Sequence, residues 1–335
     1  MKVLLYTEGI EYLSKSGLGR AIKHQMRALE IVGVEYTTDL NDDYDIVHIN
    51  TYGIKSFFLA KEARNKGKKV VYHAHSTEED FRNSFILSNQ VSGLFKNWLI
   101  TCYNLGDCIV TPTPYSKHLL EGYGINKPIY AVSNGIDLEF FQRNEILGRA
   151  FREEYGFTKD DKVIMAIGLL IERKGIIDFV ELATRLPQYK FIWFGDTPSH
   201  LIPLKVKEAM KIKNDNLFFP GYVNREVIKS AFSGSDLYIF PTHEETEGIV
   251  LLESLAQKQR TIITDIPVFN DWVEDGKNVY KAKNVDEFEK KIIDILDNKL
   301  PDLTDAGYEV AKEHDLKYIG KQLKKIYENL LKDEK

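Results

Sequence analysis

Two Rossmann-like domains, each a parallel sheet with helical crossovers, are the α/β fold that this sequence predicts, and three observations predict it. Short apolar runs of strand length alternate with longer amphipathic ones along the chain, the pattern of strands joined by crossover helices. The alternation runs through one series, stops at a turn signal and a charged stretch, and then restarts. The 335 residues are long for one core and suit two domains of ordinary size.

In the first series, strands are expected at Lys2 to Tyr6, Asp45 to Ile49, Lys69 to His73, Cys108 to Thr111 and Ile129 to Val132, with helices opening near Gly19, Ser56, Asp80 and Tyr115. The second series begins at Lys162 to Gly168 and continues through Phe191 to Phe194, Leu217 to Phe219, Leu237 to Phe240 and Thr261 to Thr264. Between them, Ser133-Asn134-Gly135-Ile136-Asp137 is a turn signal, and Glu139 to Asp161 is charged and lacks strand character. The expected domains are therefore 1–140 and 162–314, with 141–161 as a linker. In the tail, 315–335, Tyr318, Ile319, Leu323, Ile326, Tyr327 and Leu330 fall at helical spacing. That helix fits as a cap on the second domain or as a return to the first.

Composition narrows the function classes. The chain is 43% hydrophobic and 28% charged, which is globular, and its net charge of −5 argues against a general nucleic-acid binder. Cys102 and Cys108 are too few for a disulfide framework and match no zinc spacing, so buried thiols in a reducing compartment are expected. The opening run Met1 to Tyr6 meets Glu8 and Glu11 without a cleavage pattern and reads as a strand, not a signal peptide. No apolar stretch approaches the length of a membrane span, and a cytoplasmic protein is expected.

The richest stretch is Phe240 to Glu253. A strand ends in Pro241, acids follow, and after Gly248 a helix opens as Ile249-Val250-Leu251-Leu252. Such a turn lies on the sheet rim where α/β proteins bind ligands, and the free N–H groups of the new helix suit a phosphate. Glu245 and Glu253 are eight residues apart, one in the loop and the other in the helix. Arg173 and Lys174 follow the first strand of the second series, where two cations can neutralise a diphosphate; a solvated basic loop is the ordinary alternative. Together these read as a nucleotide-sugar site.

Other candidates lie in the first half. Gly17 and Gly19 lie in the stretch Ser14 to Arg20 that precedes the first helix and let backbone N–H groups approach an anion, with a Gly-assisted loop and helix start as the alternative; Ala21-Ile22 stand where a dinucleotide fingerprint needs its third glycine, so an NAD site is not expected. His75 ends a strand on the sheet rim; a lone histidine is more often a structural hydrogen bonder. Asp43-Tyr44-Asp45 has a DxD form that can hold a metal, but it precedes its strand, at the end of the sheet away from the rim, and no metal site is expected. Lys55, Lys61, Arg64, Lys66, Lys68 and Lys69 cluster near Phe57, Phe58 and Leu59, and the later apolar stretch Phe81 to Tyr103 carries Phe85, Ile86, Leu87, Leu94, Phe95, Trp98 and Leu99. A basic patch beside an apolar face suits an anionic membrane surface; a solvated face followed by a core helix is the alternative.

Taken together the motifs resemble the retaining glycosyltransferases of family 4, which have the GT-B fold of two facing Rossmann-like domains around an interdomain cleft. The resemblance spans nearly the whole chain, with Glu245 to Glu253 as its most specific part. It implies that Glu245 contacts the donor sugar and Glu253 the ribose, that Gly248, Ile249 and Val250 face the diphosphate, and that Lys174 binds phosphate. By the same resemblance Gly17 and Gly19 approach the donor, His75 lies near the transferred sugar, and Gly221, Tyr222 and Val223 line the base. Two departures stand out. Leu169 replaces an arginine common after Gly168, with Arg173 offering charge instead, and a common A-x-G-x-P after the second glutamate becomes Ala256-Gln257-Lys258-Gln259-Arg260. The strings Ser14 to Gln25, Tyr44 to Thr51 and Glu172-Arg173-Lys174-Gly175 resemble those of bacterial diglycosyl-diacylglycerol synthases.

The resemblance thus implies transfer of a hexose from a UDP-sugar, UDP-glucose in the first place and UDP-galactose as the other option, to monoglucosyl-diacylglycerol, by a peripheral protein on the inner face of the membrane. Arg173, Lys174, Glu245 and His75 are the expected catalytic group. No tightly bound cofactor is expected, and a divalent ion is at most stimulatory. A soluble or polysaccharide acceptor, a nucleotide-sugar epimerase and a noncatalytic UDP-sugar sensor stay open as alternatives.

Overall fold

The computed structural model describes residues 1–13, 16–84, 88–212 and 214–332. Ser14, Lys15, Phe85, Ile86 and Leu87 lie outside the described residues. The chain forms two units: Met1–Glu79, Gln90–Asp137 and His314–Lys335 make one, and Asp80–Asn89 with Leu138–Glu313 make the other.

The first unit is built on β1 (Lys2–Tyr6), β2 (Glu35–Thr37), β3 (Ile46–Ile49), β4 (Lys69–His73), β5 (Cys108–Thr111) and β6 (Ile129–Ala131), all parallel in the order β2-β1-β3-β4-β5-β6. The second is built on β7 (Val163–Ile167), β8 (Lys190–Phe194), β9 (Leu217–Gly221), β10 (Leu237–Phe240), β11 (Thr261–Thr264) and β12 (Tyr280–Ala282), parallel in the order β12-β11-β10-β7-β8-β9. The interior strands are buried on both faces, as parallel strands covered by helices must be. Strand order reverses between β1 and β3 in one sheet and between β7 and β10 in the other. These are the switch points at which open α/β sheets bind ligands.

The helices are α1 (Ile10–Leu13), α2 (Gly17–Ile31), α3 (Ile54–Asn65), α4 (Glu78–Phe81), α5 (Ser88–Tyr103), α6 (Pro114–Gly122), α7 (Glu145–Glu154), α8 (Ile176–Arg185), α9 (Leu204–Ala209), α10 (Arg225–Gly234), α11 (Ile249–Ala256), α12 (Val285–Leu296), α13 (Thr304–Glu313) and α14 (Leu316–Lys332). The tail helix α14 belongs to the first unit. It buries Ile319, Leu323, Ile326 and Tyr327 on the face of the first sheet shared with Leu29 of α2. Gly320 allows this close packing, since a Cβ there would lie 2.3 Å from the Ala28 carbonyl oxygen.

The segment 141–161, expected as a linker, is instead a folded part of the second unit. Its helix α7 packs on α10 through Gly148 and Gly234, where an added Cβ on either would lie 2.6 Å from backbone of the other helix. Arg152 locks the pair by donating to the Gly234 carbonyl at 2.8 Å and to the Asp236 carboxylate at 2.6 Å. Phe151 and Phe157 are buried beneath it.

Candidate active site

The best-built polar cluster of the second unit lies between the loops that leave β7 and β10, at the switch point. After β7 the chain makes one turn of 3-10 helix, Glu172–Lys174, and Gly175 at φ +74 then starts α8. A Cβ on Gly175 would sit 1.9 Å from the Pro241 carbonyl oxygen, so this glycine allows the loop after β10 to lie directly on the first. The His243 amide donates to the Arg173 carbonyl at 2.8 Å and fastens them. Gly248, at φ +87, closes the second loop and opens α11.

Glu245 is buried and its carboxylate takes a hydrogen bond from the Lys174 ammonium, with Thr242 Oγ1 donating at 3.0 Å. Arg173 NH1 is 3.9 Å from the same carboxylate and donates to the Glu244 carbonyl at 2.7 Å, while its Nε donates to Ser84 Oγ at 3.0 Å. Burial by itself would raise the Glu245 pKa, but Lys174 and Arg173 outweigh it and hold the carboxyl below its ordinary range. Burial pulls the Lys174 ammonium down, against the opposing pull of Glu245. The cluster is thus an ionised pair with a second cation beside it.

The other expected donor residues of this unit occupy the C-terminal edge of the same sheet or the helix that leaves it. Glu253 is fully buried within α11. The N-terminus of α11 at Gly248, Ile249 and Val250 has no side-chain cap, which leaves its amides to another acceptor. Gly221 at φ +82 ends β9, Tyr222 is exposed and Val223 half-buried. The departure at Ala256 to Arg260 falls at the opposite end of α11 from Gly248, away from the amides expected to meet phosphate. Lys258, standing where a glycine is common, adopts the left-handed φ of +51.

In the first unit, Gly17 and Gly19 form the first turn of α2, not a free loop, with Ser16 Oγ accepting from the Gly19 amide at 3.2 Å. His75 follows β4. Its ring stacks on His73 at 3.8 Å, and its Nε2 is 3.0 Å from Asn50 Oδ1. Asn50 Nδ2 in turn donates to Gln25 Oε1, so the Asn50 oxygen faces the histidine and His75 Nε2 carries the proton. Burial lowers the His75 pKa to about 3, which keeps the ring neutral with Nδ1 as its acceptor.

The expected membrane patch divides. Arg64 pairs with Asp107, Lys66 with Glu62 and Lys68 with Asp43, and these with Lys69 lie at the C-terminal end of α3 and the start of β4. Trp98 is a packing residue: its ring lies on Phe57 and its Nε1–H donates to the Tyr52 carbonyl at 2.7 Å. The exposed apolar side chains nearby are Ile54 (65%), Phe58 (62%) and Leu94 (74%), and Lys55 and Lys61 are exposed on the same helix as the first two. Asp43 and Asp45 are engaged at the N-terminal edge of the sheet, by Lys68 and by the Lys2 amide. Among the described residues no three His, Cys, Asp or Glu side chains are grouped to hold a metal ion. Sequence reasoning missed Ser84, Thr242 and Asn50; only Thr242, beside the acidic motif, had a local signal.

Residues 149–315 match the family model described as glycosyl transferases group 1, and residues 10–140 match that of glycosyltransferase family 4. The chain belongs to the family 4 glycosyltransferases and has the GT-B fold. More particularly, it is 43% identical over 333 residues, 99% of each chain, to the processive diacylglycerol alpha-glucosyltransferase of Acholeplasma laidlawii. Sucrose-phosphate synthase from Thermosynechococcus elongatus shares the fold with a TM-score of 0.82, at 15% identity over 99% of both chains. Anabaena HepE, solved in complex with UDP-glucose, does so with a TM-score of 0.76, at 17% identity over 98% of this chain and 100% of its own.

Proposed function

We propose that the protein transfers a hexose from a UDP-sugar to a sugar hydroxyl of monoglucosyl-diacylglycerol with retention of anomeric configuration, giving a diglycosyl-diacylglycerol. UDP-glucose is the favoured donor and UDP-galactose the alternative. The observation that carries this reading is the cluster of partly buried Arg173 and Lys174 around buried Glu245 at the switch point, beside the uncapped N-terminus of α11. Such a cluster can exchange an internal carboxylate for a diphosphate. Arg173, Lys174 and the amides at Gly248, Ile249 and Val250 then stabilise the leaving group by positioning and charge, without need of a divalent ion. Glu245 clamps the donor sugar, Glu253 the ribose, and Gly221, Tyr222 and Val223 the base. Gly17 and Gly19 approach the donor from the first unit, and His75 accepts from a sugar hydroxyl through Nδ1.

The lipid acceptor is supported by the 43% relative, whose name specifies diacylglycerol, and by the exposed Ile54, Phe58 and Leu94 with Lys55 and Lys61. On this reading the protein is peripheral on the inner face of the membrane; no helix among the described residues is long and apolar enough to cross one. Incubation with UDP-glucose or UDP-galactose and monoglucosyl-diacylglycerol in anionic vesicles, followed by mass and linkage analysis, tests it. A diglycosyl lipid is expected. Transfer only to soluble sugars would shift the reading to a soluble acceptor, and absence of transfer to any acceptor would overturn it.

A further inference from the structure

Asp80–Asn89 starts within α4, takes in the first two residues of α5 and is flanked on both sides by chain of the first unit, yet it packs as part of the second. Within it Ser84 is buried. Its Oγ donates to the Asp80 carbonyl at 2.7 Å and accepts from Arg173 Nε at 3.0 Å. A hydroxyl has one proton, and this one is spent on Asp80, so the oxygen lone pairs are left for Arg173. The preceding residue, Asn83, takes a left-handed φ of +55 and exchanges amide hydrogen bonds with Asn89, which fixes the turn that presents Ser84.

The other anchor of Arg173 is NH1, which donates to the Glu244 carbonyl. Held at Nε and NH1 by two fixed acceptors, the planar guanidinium has one orientation, and NH2 makes no hydrogen bond among the described residues. Asp80 also lies near enough for its charge to favour the ammonium form of Lys174. The segment therefore touches the environment of both cations.

We propose that Ser84 is a positioning residue for the transfer reaction: it sets the plane of the Arg173 guanidinium so that NH2 is presented to the donor diphosphate. This rests on the donor-site reading above. Charge-assisted hydrogen bonds of this kind are the strong ones, so loss of the hydroxyl is expected to cost about tenfold in kcat/KM for the UDP-sugar.

The test is a double-mutant cycle with Ser84→Ala and Arg173→Lys, read by donor kinetics and by calorimetry with UDP on folded protein. Ser84→Ala should lower kcat/KM about tenfold in the wild-type background and have no further effect beside Arg173→Lys, because lysine has no Nε–H to orient. Equal losses in both backgrounds, or a folded Ser84→Ala with donor kinetics within twofold of wild type, would overturn the proposal. The wild-type protein supplies an independent readout if Ser84→Ala does not fold. The Arg173 Nε–H resonance, assigned by its loss in Arg173→Lys, should exchange slowly with water, and exchange at the rate of a free arginine would refute the bond. Wild-type protein that binds no UDP and transfers no sugar would refute the donor-site reading instead, whatever Ser84 does.

Discussion

Replacing Gly175 by alanine tests whether the loops after β7 and β10 act as one rigid piece. The left-handed conformation at φ +74 costs an alanine about 1–2 kcal/mol by itself. The added methyl would also lie 1.9 Å from the Pro241 oxygen, and reaching even a 3.0 Å approach requires a shift of 1.1 Å (3.0 − 1.9) between the loops that carry Lys174 and Glu245. A displacement of that size at groups that orient a reaction costs roughly a hundredfold in rate. Gly156 is the internal control: its φ is +70, but nothing lies within 4 Å of an added methyl. Both variants should lower the thermal midpoint, by about 2–4 °C per kcal/mol for a domain of this size. Only Gly175→Ala should also weaken UDP binding and lose about a hundredfold of kcat/KM. Calorimetry and initial rates on the two proteins decide it, and equal kinetics for both would refute the coupling of the loops.

Glu253→Ala is expected to weaken UDP binding about tenfold by calorimetry, the scale of a lost hydrogen bond to a charged group; unchanged affinity would count against the ribose role proposed for it. His243 Nε2 is 3.1 Å from the Asp178 carboxylate, whose hydrogen bond raises the His243 pKa above 6.5. The stability this pair adds is complete below that value and is lost as pH climbs through the raised one, so the melting difference between wild type and His243→Gln should be largest below pH 6.5 and shrink as pH rises above it. Serine at Ile54, Phe58 and Leu94 together should reduce sedimentation with anionic vesicles more than glutamate at Lys66, Lys68 and Lys69; the reverse order would move the membrane contact to the other end of α3. Lys258→Gly relieves a left-handed lysine and should raise the thermal midpoint by on the order of 2 °C.

The interior strands were legible because strands buried on both faces read as unbroken apolar runs. Two of the four edge strands were not: Glu35–Thr37 and Tyr280–Ala282 are three residues each with a charged residue among them, whereas the edge strands Ile129–Ala131 and Leu217–Gly221 carry no charge and were read. The 141–161 stretch misled because α7 buries only Gly148 and Phe151, so its charge hid a packed helix. In the site, Arg173-Lys174 and Glu245 to Glu253 were visible as local strings. The bond from Arg173 to Ser84 spans 89 residues and that from His75 to Asn50 spans 25, so no spacing rule exposes them. Counting basic residues could not show that Arg64 and Lys68 find Asp107 and Asp43, 43 and 25 positions away.

The charge arrangement also divides labour within the cluster. A carboxylate held ionised by two cations and a hydroxyl is a poor general acid at neutral pH and a weak base, which fits the clamp role proposed for Glu245 better than proton transfer. Lys174 is spent on Glu245, whereas the two short bonds of Arg173 go to neutral oxygens, with the carboxylate farther away at 3.9 Å. On the proposed donor-site reading, an incoming diphosphate would therefore meet first the less committed charge, at Arg173. On the same reading, Lys174 would reach it only by loosening its hold on Glu245, and that step would free the carboxylate for the hydroxyls of the sugar. Donor recognition on this reading would couple the two halves of the substrate: the diphosphate would draw the lysine away, and the sugar would replace it.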